Sequence, residues 1–313
     1  MPTVEDYLTS FRMDCRESTQ NNKKRAFALF LAFLKDGASR RLDAVTPREC
    51  QDFLASLEGR MTTRTVETVR QHVSSAFNRA INEDLLTKNP MRGQKIIGIG
   101  DDSINREALT REDIEYLLLH APAPWPDMVL LSVCTAGQRL GDIACLKWDR
   151  VDFGNKRITI TTMKTHDTYV YRMTDRLIER LLFLREHAGD SPYVFPDMAA
   201  AYIRSASHVS TEFTSMLLSF RIATRIEVKR KDGSSRWVAN KSFHGLRRYV
   251  VTTLRENGVS ADMSRKLVGH KSELVEQAYF APQEADKEKA MKTSIPDSFF
   301  DCINGSVSRE SED

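Results

Sequence analysis

The chain has 313 residues, enough for two compact domains, and 41% of them are hydrophobic and 28% charged. That balance fits a soluble globular protein and excludes disordered, collagen-like and membrane-embedded classes. The net charge of +3 permits nucleic-acid binding without demanding it, because such binding depends on clustered rather than net charge.

The five cysteines are odd in number and scattered, with no CxxC spacing. This points to free thiols in a reducing compartment rather than a disulfide framework or a zinc site. The opening stretch MPTVEDYLTS is polar and acidic, so no signal peptide is expected, and no apolar run is long enough to span a bilayer. The expected setting is cytoplasmic.

The first hundred residues predict helices. Apolar spacing marks one over 4–15 and one over 25–37, stopping at Gly37. A third runs over 46–59, opened by Thr46, Pro47 and Glu49 as a capping box and closed at Gly59. A long amphipathic helix over 62–86 ends before Asn89-Pro90. Residues 1–92 therefore form a small helical bundle, and 93–107, glycine-containing and without period, form a linker.

From residue 108 the pattern changes. A helix over 109–120 is capped by Thr110 with Asp113 in its first turn. Alternating β-branched and polar residues over 148–173 predict a small antiparallel sheet. A helix resumes over 174–187, and 226–238 reads as a hairpin turning at Asp232-Gly233. The remainder is helical to about residue 293, and 299–313 is expected to be a tail whose acidic, Ser-rich end is disordered. The fold class is mainly α with a small antiparallel β-sheet: a helical domain followed by a mixed α/β domain over 108–298.

Several strings carry chemistry. In FHGLRRYVVTTL, His244 and Arg247 are three apart on a helix and share a face, which suits a phosphate-oxygen clamp. Taken alone, HxxR is common and reads as an incidental surface pair. Arg139, in AGQRLGD, stands at the predicted start of a helix, with Asp142 one turn on; by itself this is an ordinary i,i+3 pair. His270 follows Gly269, and Tyr279 lies in VEQAYFAP. A phenol is a poor nucleophile at neutral pH until cations stabilise its phenolate, which two arginines and two histidines would do. Lys164, mid-hairpin in TTMKTHDTYV, is a solvated lysine or a general acid reaching a leaving oxygen, with Lys147, Lys156 and His166 as rivals. No carboxylate pair, metal-binding cluster or Walker loop stands out, so neither metal nor cofactor is expected.

Each motif is weak alone, but the order Arg, hairpin Lys, HxxR, GH, Tyr resembles the tyrosine recombinases, the phage-integrase and Xer-like enzymes. The resemblance covers nearly the whole chain. It implies a helical core-binding domain and a catalytic domain that together grip double-stranded DNA. It also implies that Tyr279 attacks the scissile phosphate to form a 3′-phosphotyrosyl link and release a 5′ hydroxyl. Arg139, His244 and Arg247 would stabilise the non-bridging oxygens, His270 would bond the phosphate, Lys164 would protonate the leaving oxygen, and Asp142 would brace the site. Four protomers, monomeric or dimeric when free, would act on two DNA sites without cofactor or membrane, in the cytoplasm at the nucleoid. No arm-binding N-terminal domain is expected, and a C-terminal segment anchored by Phe299 and Phe300 docks on a neighbouring protomer or folds back.

Three positions depart from the family pattern: Gln138 where an apolar residue is usual, Val268 before the GH, and Phe280 after the tyrosine. Candidate DNA contacts are Lys23, Lys24, Arg25, Arg64 and Arg70 in the first half, and Lys229, Arg230 and Lys231 in the second hairpin, which is equally consistent with a solvated basic loop. A relaxing enzyme like the type IB topoisomerases, a catalytically silent DNA-binding protein and a helical interaction module are the competing readings.

Overall fold

The computed structural model describes residues 1–11, 13–96, 106–229, 235–268, 295 and 298–307. The chain divides into two compact units, one of residues 1–104 with 227–238 and one of 105–226 with 239–313.

In the first unit, helices α1 (Val4–Thr9), α2 (Glu17–Leu34), α3 (Pro47–Leu57) and α4 (Thr63–Asn82) surround an apolar core. Phe30 is its centre, edge-on to Phe53 at 4.9 Å and to Phe77 at 6.0 Å. The capping box at Thr46 and Glu49 is formed as the sequence predicts. Helix ends differ from the predicted ones for local reasons. Helix α1 stops at Thr9 because Phe11 leaves the helix to pack edge-on against Phe27 at 5.4 Å. Helix α2 starts eight residues early, at Glu17, since its first two turns are polar surface that shows no apolar period. It ends at Leu34, where Lys35 turns left-handed with φ 50°. Helix α4 ends at Asn82, where Asp84 is left-handed with φ 57°. Within the segment predicted as a linker, Lys95 exchanges backbone hydrogen bonds with the Gln51 side chain, whereas Glu107 donates its backbone N–H to the Asn240 carbonyl in the second unit.

The second unit is built around α6 (Trp125–Cys134), all of whose residues are buried. A helix apolar on every side has no amphipathic stripe and so belongs in a core. Around it lie α5 (Arg111–His120), with its Thr110–Asp113 capping box, α7 (Leu140–Ala144), α8 (Asp175–His187), α9 (Pro196–Arg204), α10 (Ala206–Ser219), α11 (His244–Glu256) and α12 (Ala261–Val268). Strands β1 (Val151–Asp152), β2 (Arg157–Thr161) and β3 (Thr168–Arg172) form an antiparallel sheet, with Ile158 opposite Tyr171 and Thr161 opposite Thr168. Alternation buries Ile158, Ile160 and Tyr171 on one face. Strands β4 (Arg225–Lys229) and β5 (Ser235–Ala239) pair as the second predicted hairpin, most of which, 227–238, belongs to the first unit; its Asp232-Gly233 turn lies outside the described residues.

The expected C-terminal tail is, over Ser298–Val307, a helix folded onto its own unit. Phe299 and Phe300 are buried in the core, with Phe299 6.2 Å from the Tyr249 ring. Ser298 bridges Arg111 and Glu115 of α5, and Asp301 pairs with Arg176 at 2.7 Å. Burial of these two adjacent phenylalanines, with the Ser298 and Asp301 contacts, helps offset the ordering of this short helix. No described helix is long and apolar enough to cross a membrane.

Candidate active site

The site starts from a tight turn. After α6, Ala136 (φ 57°) and Gly137 (φ 70°) are both left-handed and reverse the chain before α7. The Thr135 hydroxyl and the Gly137 N–H satisfy the last carbonyls of α6, those of Leu131 at 2.7 Å and Ser132 at 2.7 Å. A Cβ on Gly137 would lie 2.4 Å from the Arg247 Cα, so this glycine lets α11 approach the turn. Gly141 plays the same part for α9, where a Cβ would meet the Tyr202 hydroxyl at 2.4 Å.

Arg247, one turn into α11, is only 2% exposed. Its Nε donates to the Gly137 carbonyl at 2.8 Å and its Nη2 to Gln138 Oε1 at 3.2 Å. Its Nη1 is buried with no protein partner. Burial, together with the nearby Arg139 charge, pulls this guanidinium down to about 10, so it stays cationic at neutral pH. Arg139 precedes α7 and is half-buried, 3.8 Å from Asp142 through Nη1 and Oδ2. Arg139 faces the Asp142 carboxylate, and Arg247 is near enough to act on it electrostatically. Burial raises Asp142 above the usual carboxylate range, against the opposing pull of the Met163 N–H, Arg139 and Arg247.

Asp142 also reaches the first hairpin: its Oδ1 accepts the Met163 N–H at 2.8 Å. The β2–β3 turn closes through Thr162 N–H to the Asp167 carbonyl at 2.8 Å and His166 N–H to the Thr162 carbonyl at 2.9 Å. Lys164 is exposed at this turn, next to the residue that Asp142 holds. His244 opens α11 and is exposed, in contrast to Arg247 on the same helix. The structure therefore brings Arg139, Asp142 and Arg247 together and ties the Lys164 turn to them. His270 and Tyr279 lie outside the described residues, as do Arg230 and Lys231. Among the described residues, no three His, Cys, Asp or Glu side chains could hold a metal ion.

Sequence reasoning treated Gln138 as a departure from pattern; it is a buried hub between Arg247 and Tyr171. The signal available for Tyr171 was strand alternation, which puts it on the face of Ile158 and Ile160.

The described basic residues of the first unit stand in different settings. Lys23, Lys24 and Arg25 are consecutive on α2, so successive side chains point about 100° apart. Lys23 sits 5.6 Å from the Phe11 ring centroid. Arg70 is held by Glu67 through two hydrogen bonds of 2.8 and 2.6 Å, while Arg64 is exposed near the start of α4. Lys229 ends β4.

Residues 107–286 match the phage integrase family. The chain is similar to the XerC-like tyrosine recombinase of Caldanaerobacter subterraneus subsp. tengcongensis, 22% identical over 67% of this chain and 60% of that protein. It is also similar to the tyrosine recombinase XerA of Pyrococcus furiosus, 24% identical over 88% of each. In structure it is similar to one protein chain of a lambda integrase tetramer bound to a Holliday junction, with a TM-score of 0.60 and 19% identity over 89% of this chain and 81% of that one. With a matched segment that includes this arginine cluster and more than half of the chain, the protein belongs to the phage integrase family.

Proposed function

We propose that the protein is a site-specific DNA recombinase that cleaves and rejoins double-stranded DNA through a 3′-phosphotyrosyl intermediate. The observation that carries this reading is the buried Arg247, held on two sides and bare at Nη1, beside a second guanidinium. A buried cation kept charged with a free donor edge is suited to an anionic ligand, and a phosphate diester presents two oxygens to such a pair.

In the proposed reaction the Tyr279 phenol gives its proton to solvent water and its oxygen bonds to phosphorus. The bond from phosphorus to the 5′ oxygen breaks, and Lys164 supplies the proton that oxygen needs. Arg139, His244, Arg247 and His270 balance the charge on the non-bridging oxygens. Asp142 sets both Arg139 and the Lys164 turn. Rejoining is the reverse step with a 5′ hydroxyl as nucleophile, so the bond energy is conserved in the phosphotyrosine.

The 1–92 helical bundle would act as a core-binding domain and 108–298 as the catalytic domain, with Lys23, Lys24, Arg25, Arg64, Arg70, Lys229, Arg230 and Lys231 contacting the backbone. The similarity to an integrase tetramer on a Holliday junction supports a tetramer joining two DNA sites. Its place of action would be the nucleoid.

The test is covalent capture without added metal. Nicked suicide duplexes cut from the DNA flanking the gene, and from a genomic library, are incubated with wild type and with Tyr279→Phe, then run on a denaturing gel. An adduct formed by wild type and absent from the variant supports the reading. Binding without any adduct across the library overturns it in favour of a silent DNA-binding protein. Relaxation of a supercoiled plasmid bearing no captured site would favour a topoisomerase-like enzyme.

A further inference from the structure

Arg247 approaches the site through a chain of side chains that runs in one direction. Its Nη2 donates to Gln138 Oε1 at 3.2 Å. Gln138 Nε2 donates to the Tyr171 hydroxyl oxygen at 2.5 Å. The Tyr171 hydroxyl donates to the Leu267 carbonyl at 3.1 Å. Gln138 and Tyr171 are 1% and 4% exposed, so water is not at hand to substitute for a lost partner.

The order of these bonds follows from donor arithmetic. A carbonyl only accepts, so the Tyr171 hydrogen is committed to Leu267, and its oxygen is left to accept. The Gln138 amide must then show its NH2 to Tyr171 and its oxygen to Arg247. A flipped amide would set donor against donor at the guanidinium. Ser132 Oγ donates to the Gln138 carbonyl at 2.9 Å and fixes the backbone from which the amide projects. With Nε on the Gly137 carbonyl and Nη2 on Gln138, the plane of the guanidinium is set and Nη1 is the nitrogen left open.

We propose that Gln138 and Tyr171 are positioning residues that fix the rotation of the Arg247 guanidinium and so aim its open edge at the scissile phosphate. The inference rests on the recombinase reading, and on Arg247 as a phosphate ligand within it. The chain also joins three parts of the candidate site. Leu267 is at the end of α12, shortly before His270 in sequence; Tyr171 is on β3, whose hairpin carries Lys164; Gln138 adjoins Arg139. A buried amide accordingly sets one guanidinium with reference to the two segments that bear the other candidate groups.

The test uses the full-length protein and a nicked duplex that the wild type captures covalently. It is made twice, with a normal phosphate and with a methylphosphonate at the scissile position, where a methyl group replaces one charged oxygen. Tyr171→Phe and Gln138→Met are compared with wild type by single-turnover cleavage at saturating DNA. On the phosphate, each variant is expected to cleave roughly 10- to 100-fold more slowly with unchanged DNA affinity. On the methylphosphonate the guanidinium has no full charge to neutralise, and the deficit should shrink towards parity. General loosening of the fold would slow both substrates alike, and that result overturns the proposal, as would wild-type rates on the phosphate. Should Tyr171→Phe not fold, Gln138→Met, which removes the amide and keeps the length of the side chain, decides alone. If wild type forms no adduct with any duplex, the recombinase reading itself fails and the relay with it; if wild type reacts and the variants match it, the relay alone fails.

Discussion

Arg247 and Lys164 serve one candidate site and are held in opposite ways. Arg247 is 2% exposed, gripped by the Gly137 carbonyl and the Gln138 amide. Lys164 is exposed on a hairpin turn whose neighbour Met163 is tied to α7 by a hydrogen bond to Asp142. Charge stabilisation works best when the donors are fixed before the substrate arrives, because no reorganisation is then needed at the moment of reaction. Proton delivery needs reach: a lysine on a turn can follow a leaving oxygen. On the recombinase reading, the molecule preorganises its charge-stabilising half and leaves the acid on a tether.

The largest expected effect comes from breaking the fixed half. Arg247→Lys keeps a positive charge but carries its donors on one nitrogen, which cannot take the separate positions from which Nε and Nη2 reach Gly137 and Gln138 and Nη1 is left over. Single-turnover cleavage should fall by about 10²- to 10³-fold, with DNA affinity nearly unchanged. An effect of less than about tenfold would mean that the fork geometry is unimportant. Next is Gly137→Val. The new Cβ would lie 2.4 Å from the Arg247 Cα, at a residue with φ 70°. Left-handed strain and overpacking together should cost at least about 3 kcal/mol, read as a shift in the urea midpoint.

Asp142 links the two halves, and its titration sharpens the contrast. Burial raises its folded pKa, so its protonated form is favoured by folding. The resulting contribution is fully present below the unfolded carboxylate pKa and is lost as pH rises through the raised folded one. Asp142→Asn removes that loss while keeping an oxygen for the Met163 N–H. The variant should therefore gain stability relative to wild type at neutral pH, and the gain should vanish on acidification through the carboxylate range. Denaturant titrations at several pH values check this. Cleavage should nonetheless decline, since Arg139 loses its carboxylate partner at 3.8 Å.

The capping box at Thr46 and the cap at Thr110 were legible because they are local: cap, backbone and acid lie within one turn. The two hairpins were legible from alternation and turn residues. Helix α6 carries no apolar period because it is buried on all sides, and the Ser298–Val307 helix looked like the start of a polar tail because only Phe299 and Phe300 signal its docking. Arg139, Asp142, Lys164, His244 and Arg247 could be picked out by their type and order. Gln138 could not, since its partners Tyr171 and Arg247 lie 33 and 109 residues away and nothing near it in sequence foretells them. A long-range polar contact leaves no periodic trace; only the close approach demanded by Gly137 hints at it.

The smallest expected effect separates two arginines on α4. Arg64 is exposed, whereas Arg70 is bound to Glu67 through both Nε and Nη2. A half-buried i,i+3 helix pair of this kind contributes on the order of 0.5 kcal/mol to stability, so losing it does little to the fold. Its consequence is electrostatic: Arg70 already has a neutralising carboxylate, and a phosphate must displace or share it. If the first unit grips DNA by its backbone, Arg64→Ala should lower the slope of log affinity against log salt by about 1, and weaken binding to all sequences alike. Arg70→Ala should change the slope by clearly less, because the carboxylate left behind adds a repulsion that is itself screened by salt. Filter-binding titrations from low to high salt measure both slopes. Equal slopes for the two variants would show that Glu67 releases Arg70 on the DNA, and the ion pair seen in the free protein would then be a resting contact.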